Sequence, residues 1–144
     1  MSNADDILEI QMLAQRYADA VMRHDADDWG ACWAEDGEWD LGMPESVKGR
    51  DNIVNMWKGA MAGYPFAVFL VLPGIVTVNG DSATMRSFVE ENLENPDGEG
   101  MRVYGCYDDV LVKEGGKWVF KERHYNVIFR GAVKFEGDKT GWSG

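Results

Sequence analysis

The sequence predicts an α+β fold in which three N-terminal helices are followed by an antiparallel meander of four long strands. Three observations predict it. Apolar residues recur at intervals of three and four up to Gly63, the interval then drops to two, and the later runs are separated by hairpin signals such as Asn79-Gly80-Asp81 and Gly115-Gly116. With 144 residues, 45% of them hydrophobic and 12% aromatic, the chain can fill one core of ordinary domain size, which excludes wholesale disorder.

The first helix is placed at residues 7–24, where Ile10, Leu13, Tyr17, Ala20 and Val21 form one stripe and Asp5 and Asp6 precede the first turn as caps. His24 falls at its end beside Asp25. A short second helix is expected at residues 26–34, followed by a short strand at 38–41. The third helix opens near Asp51, because Ile53, Met56, Trp57, Ala60 and Met61 share a face before Gly63 ends it. Four long strands follow at 66–78, 82–94, 101–113 and 117–130 as an antiparallel meander. One domain therefore spans 1–144, with a core at 7–130 and a Gly- and Lys-rich tail at 131–144 that reads as loosely attached.

Composition removes several function classes. A net charge of −11 with the acids spread along the chain argues against nucleic acid as a partner. The longest apolar run, residues 66–72, is far too short to cross a bilayer, and the acidic amino terminus is unlike a secretory signal, so the protein reads as cytoplasmic with no membrane partner. Cys32 and Cys106 read as free core thiols. No metal is expected: His24 and His124 are the only histidines, 100 positions apart, without the spacing of a ligand pair. No glycine fingerprint for a nucleotide follows a strand, so no cofactor is expected.

Six short motifs occur in one order: Arg16-Tyr17-Ala18, Trp33-Ala34-Glu35-Asp36-Gly37, Gly49-Arg50-Asp51-Asn52-Ile53, Asn79-Gly80-Asp81-Ser82-Ala83, Gly105-Cys106-Tyr107-Asp108-Asp109 and Gly115-Gly116-Lys117-Trp118. In them the chain resembles the SnoaL-like branch of the nuclear transport factor 2-like superfamily over about residues 7 to 130. That resemblance implies the cone fold and a superfamily of diverse activities, among them scytalone dehydratase, ketosteroid isomerase, hexachlorocyclohexane dehydrochlorinase, polyketide cyclases, diarylpropane lyases and non-catalytic members. Scytalone dehydratase and the dehydrochlorinase place an aspartate late in the first helix and a histidine on the first long strand. Ungapped counting puts Met22 and Val68 there, so that pair is absent.

Proton-transfer groups must then be sought elsewhere in the cone. If Gly115-Gly116 is a two-residue loop, opposed residues on the last two strands have numbers summing to 231. Leu111 then faces Phe120, Asp109 faces Glu122, Tyr107 faces His124 and Gly105 faces Asn126, with Trp118 at the end of the same inward face. The other face carries Asp108 against Arg123 and Cys106 against Tyr125. Asp109 is the nearest match to the oxyanion-binding aspartic acid that the resemblance to ketosteroid isomerase implies, and Asp108 takes its place if the register slips by one. Two carboxylates in an apolar cone cannot both ionise cheaply unless a cation, His124 or Arg86, compensates.

The candidate catalytic set is therefore His124, Asp109, Tyr107, Tyr17 and Glu122. Asn126, Arg86, His24, Trp33, Trp57, Phe69 and Phe88 are candidates for binding the substrate, with the aromatics suited to a flat, ring-bearing molecule. Structural alternatives stand beside each: a solvated rim pair for Asp109 and Glu122, a core imidazole for His124, helix packing for Tyr17, and a helix-end charge interaction for His24. The leading expectation is a cofactor-free lyase or isomerase that moves protons on a hydrophobic aromatic or polycyclic molecule, most simply by elimination of water or of a small carbon fragment. A small-ligand binding protein without turnover is the alternative, and a structural subunit like the small subunit of ring-hydroxylating dioxygenases is a third. Alternating aliphatics Val110, Val112, Val119 and Val127 predict a homodimer or homotrimer formed through the outer sheet face.

Overall fold

A computed structural model describes residues 3–141. Helix α1 (Asn3–Arg23) starts a turn earlier than its apolar stripe, with Asp5 and Asp6 inside the first turn, where carboxylates suit the positive end of the helix dipole. Asp6 is buried and accepts from the Trp118 indole at 2.9 Å, and Lys113 lies 3.2 Å away. The helix ends with His24 in the left-handed region at φ 54°, where the Asp25 and His24 amides return to the carbonyls of Ala20 and Val21. Asp25 then caps α2 (Ala26–Ala31) through the Asp28 amide.

Strand β1 (Trp33–Asp40) takes over where the second helix was expected to continue, and it runs parallel to β6 (Lys117–Val133). A two-residue β2 (Val47–Lys48), without a sequence signal of its own, pairs with it. Helix α3 (Arg50–Ala62) leads into β3 (Phe66–Asn79), β4 (Ser82–Glu94) and β5 (Gly100–Glu114), which join β6 as the expected meander. The sheet order is β2-β1-β6-β5-β4-β3, curved and unclosed, with the helices in its concave side. The chain thus has the helices and antiparallel meander that its periodicities predict and the α+β cone, a curved antiparallel sheet wrapped around three N-terminal helices, that the resemblance implies.

An aromatic cluster fills the concave side. Trp29 stacks on Trp57 at 4.7 Å and 11°, and Tyr17 contacts Trp29, Phe69 and Phe120 at centroid distances of 5.2 to 5.8 Å. Such contacts add to the burial of large apolar surfaces.

The pairing of β5 with β6 corrects the sum rule. Opposed numbers sum to 231 from Glu114 and Lys117 as far as Leu111 and Phe120, and a β-bulge at Lys121 then moves the register by one, so that Val110 faces Glu122 and Asp109 faces Arg123. Because strand side chains alternate, one extra residue exchanges the faces of everything that follows. Arg123 and Tyr125 turn inward; His124 and Asn126 turn outward. Lys121 ties the bulge to Asp36 of β1. At the far end, β6 continues to Val133, Phe135 packs on Phe66 at 5.0 Å, and Lys139 lies 3.4 Å from Glu94, so residues 131–139 are bound to the sheet edge. Residues 142–144 of the expected tail lie outside the described residues.

Candidate active site

Four cross-strand rows build the concave face: Ala67, Leu93 and Met101; Phe69, Glu91, Val103 and Arg130; Val71, Val89, Gly105 and Val127; Ser87, Tyr107 and Tyr125. Between these rows and the helices lies a cavity of about 140 Å³. Tyr17 and Val21 from α1, Trp39 from β1, Trp57 and Met61 from α3, and Tyr64 from the following turn form its roof, while Phe69, Glu91, Leu93 and Tyr107 form its sheet wall. Its walls are apolar apart from one carboxyl and the tyrosine hydroxyls.

That carboxyl is Glu91. Burial pushes it above the usual carboxylate range, opposed by the Tyr125 hydroxyl, which donates to Oε2 at 2.6 Å, and by the charge of Arg130. Tyr125 lies flat over Gly105, where a β-carbon would collide with its ring, so the glycine is what lets the ring reach Glu91. Burial drives Tyr125 upward as well, so it stays protonated and donates. Deeper in, the Trp39 indole donates to the Tyr107 hydroxyl at 3.1 Å, and Tyr107 is within hydrogen-bonding reach of Tyr17. Burial pushes Tyr17 up to about 12 and Tyr107 well above its ordinary value. Both are hydrogen-bond donors rather than proton donors at neutral pH.

Beneath them Asp109 and Arg123 form a buried bidentate pair, Nε to Oδ1 at 2.8 Å and Nη2 to Oδ2 at 3.1 Å. The guanidinium sits 3.8 Å from the Tyr107 ring centroid, 4.0 Å from Phe120 and 4.5 Å from Tyr17. Burial raises the Asp109 carboxyl and Arg123 opposes the rise; since arginine does not shed its proton, the two remain an ion pair.

Of the residues singled out from the sequence, Tyr17, Tyr107, Trp57 and Phe69 line the cavity. Asp109 faces inward but is consumed by Arg123, and Trp33 is core behind the cavity wall. The rest lie elsewhere. The bulge carries His124 to the outer face, where Nδ1 is 3.1 Å from Asp40 and Nε2 is 3.4 Å from Glu122, and the Asp40 hydrogen bond raises its pKa. Glu122 belongs to that outer cluster and not to a pair with Asp109. Arg86 and Asn126 both bind Asp108 on the outside, at 2.9 and 3.3 Å, Phe88 is half exposed there, and His24 is exposed at the helix end. No ligand pattern for a metal occurs among the described residues.

Glu91, Tyr125 and Trp39 were not singled out by sequence reasoning. For Glu91 a signal existed: Ala83, Met85, Ser87, Val89, Glu91 and Leu93 are one face of β4, and a glutamate breaks an otherwise small and apolar alternation. Tyr125 was hidden by the bulge. Met22 Sδ lies 3.4 Å from the Phe69 amide, and Val68 lines the cavity.

Residues 2–124 match the SnoaL-like domain family. Among solved structures, a protein of Novosphingobium aromaticivorans provisionally assigned as a scytalone dehydratase aligns with TM-score 0.84 and 19% identity over 99% of this chain and 97% of its own. A hexachlorocyclohexane dehydrochlorinase of Novosphingobium barchaimii aligns with TM-score 0.80 and 15% identity over 94% and 97% of the two chains. A Mycobacterium tuberculosis protein of unknown function reaches 26% identity and TM-score 0.77 over 88% and 76%. No curated protein matches the sequence.

Proposed function

The chain belongs to the SnoaL-like domain family, and from that premise we propose that it is an enzyme of the lyase or isomerase kind, using its own side chains for acid–base chemistry on a small, ring-bearing molecule. The observation that carries the reading is Glu91, a half-buried carboxyl held by Tyr125 at the edge of an apolar cavity. A carboxyl pushed upward by burial is suited to take and return a proton near neutral pH. Glu91 takes the proton beside a carbonyl, and the resulting enolate accepts hydrogen bonds from Tyr107 and Tyr17, which keep their protons. The protonated Glu91 then returns the proton. Delivered to a departing hydroxyl it completes elimination of water; delivered to a different carbon it moves a double bond. One carboxyl thus serves either outcome.

The cavity volume narrows the substrate. About 140 Å³ matches the space that holds one benzene-sized ring, which favours a monocyclic over a polycyclic substrate. The replacement of the relatives' aspartate and histidine by Met22 and Val68 favours the second reading, ligand binding without turnover. A panel of one-ring β-hydroxy ketones, followed by enone absorbance, separates the two. Turnover that survives dialysis against a chelator and falls ~10²–10⁴-fold in Glu91→Gln supports the enzyme. Binding with no turnover, or equal rates in the variant, rejects it.

A further inference from the structure

The row that holds Glu91 continues across the sheet through Val103 to Arg130. Paired strand residues share a face, so Arg130 stands on the concave side with Glu91, two strand spacings or about 10 Å away between α-carbons. The second bulge in β6, between the pairs Tyr104–Phe129 and Gly105–Val127, is what brings it to this face. On that side the cone is open: Val127 and Arg130 are exposed, whereas Val103 between Arg130 and Glu91 is buried. Arg130 has neither a hydrogen bond nor an ion pair with any described residue, whereas Arg23, Arg50, Arg86 and Arg123 each hold a carboxylate and Arg102 binds the Asn92 amide; Arg16, on the outer side of α1, is the other arginine without such a partner. In a chain of net charge −11, Arg130 is thus an exposed cation without an ion-pair partner, two strands from the carboxyl that lines the apolar cavity and close enough for its charge to act on Glu91.

We propose that Arg130 is a specificity residue that binds a carboxylate carried by the substrate, so that the substrate is a one-ring acid whose ring enters the cavity beside Glu91 while its carboxylate stays at the rim. This rests on the cavity being the substrate site. A guanidinium suits the task because its planar donors match a carboxylate, and at a half-open rim the charge is neutralised without being desolvated. The two-strand distance, less the reach of the arginine side chain, leaves room for a spacer of one to three carbons between ring and carboxylate.

Two probes of equal shape test it: 3-phenylpropanoate and the neutral 3-phenylpropan-1-ol, titrated against the full chain at low salt while following tryptophan fluorescence, since Trp39 and Trp57 line the cavity. The acid is expected to bind about ten-fold more tightly than the alcohol, and Arg130→Gln is expected to erase that preference while leaving the alcohol's affinity unchanged. Added salt weakens the acid alone. Equal affinities in the wild type, or a preference that survives Arg130→Gln, overturns the anchor while leaving the cavity reading intact. If neither probe binds the wild type, the anchor falls together with the cavity reading beneath it.

Discussion

Arg123 grips Asp109 with two parallel hydrogen bonds, and three aromatic rings enclose the guanidinium. Neither partner is in contact with water, so the pair's worth is asymmetric. Removing one member strands a buried charge, whereas removing both does not. Asp109→Asn is therefore expected to lower unfolding stability by ~3–5 kcal/mol. The double replacement Asp109→Leu with Arg123→Met should recover most of the loss. Urea unfolding of the two variants checks both statements, and an Asp109→Asn protein within ~1 kcal/mol of wild type contradicts the assignment of a fully desolvated pair.

The proton-transfer reading separates Glu91 from His124. Glu91 must be ionised to act as base, and burial raises its pKa, so turnover should climb with pH through a value above the usual carboxylate range. Stability runs the opposite way: a carboxyl with a raised folded pKa contributes most below its unfolded value near 4.3, and loses that contribution as pH rises through the folded value. Glu91→Gln should then be at least as stable as wild type at neutral pH while losing turnover. His124→Gln, altered on the outer face, should leave turnover within about two-fold, far from the ~10²-fold minimum for a positioned acid or base. A large rate loss in His124→Gln with intact stability would return catalysis to the outer cluster.

The fold was legible because it rests on two periodicities and on turn chemistry. The strand from Ser82 to Glu94 was placed to the residue, since Asn79-Gly80 and Asn95-Pro96 bound it on both sides. The site was legible where the elements are regular: Tyr17, Trp57 and Phe69 on α1, α3 and β3, and Tyr107 and Asp109 on β5, follow from unbroken periodicity. It was lost at Lys121, because a bulge is stabilised by tertiary partners, here β1 through Asp36 and the turn of Cys32 onto Phe120, that no local pattern in β6 reveals. The parallel pairing of β1 was hidden for the same reason. It depends on Trp33 and Trp39 meeting β6, and not on any alternation within residues 33–40.

His24 gives a prediction that needs no knowledge of function. Its φ of 54° places a residue with a β-carbon in the conformation that glycine adopts without steric cost, and its side chain is exposed. The helix-end hydrogen bonds are made by backbone atoms and do not require the imidazole. His24→Gly should raise stability by ~0.5–1 kcal/mol, read as a higher thermal midpoint. A loss of stability would mean that the side chain supplies more than the conformation costs.

The outer sheet face carries the last prediction. Val119 of the aliphatics singled out there is buried, and the second bulge puts Val127 on the concave side, so those two cannot form the surface. In their place Leu70, Leu72, Phe88, Tyr104 and Phe129 lie on the convex face in two adjoining rows across β3 to β6, each of them more than a third exposed and Leu72 at 72%. Apolar side chains grouped in these rows, which only Glu90 and Asn126 interrupt, are costly to leave in water and suit a flat, self-complementary contact. The polar row of Arg86, Asp108 and His124 borders this patch, which sets an edge to the contact. The chain is expected to sediment as a homodimer or homotrimer at micromolar concentration. Leu72→Lys combined with Phe88→Glu should yield a monomer with unchanged far-ultraviolet circular dichroism, because neither side chain contributes to the concave core. A wild-type monomer under those conditions refutes the association.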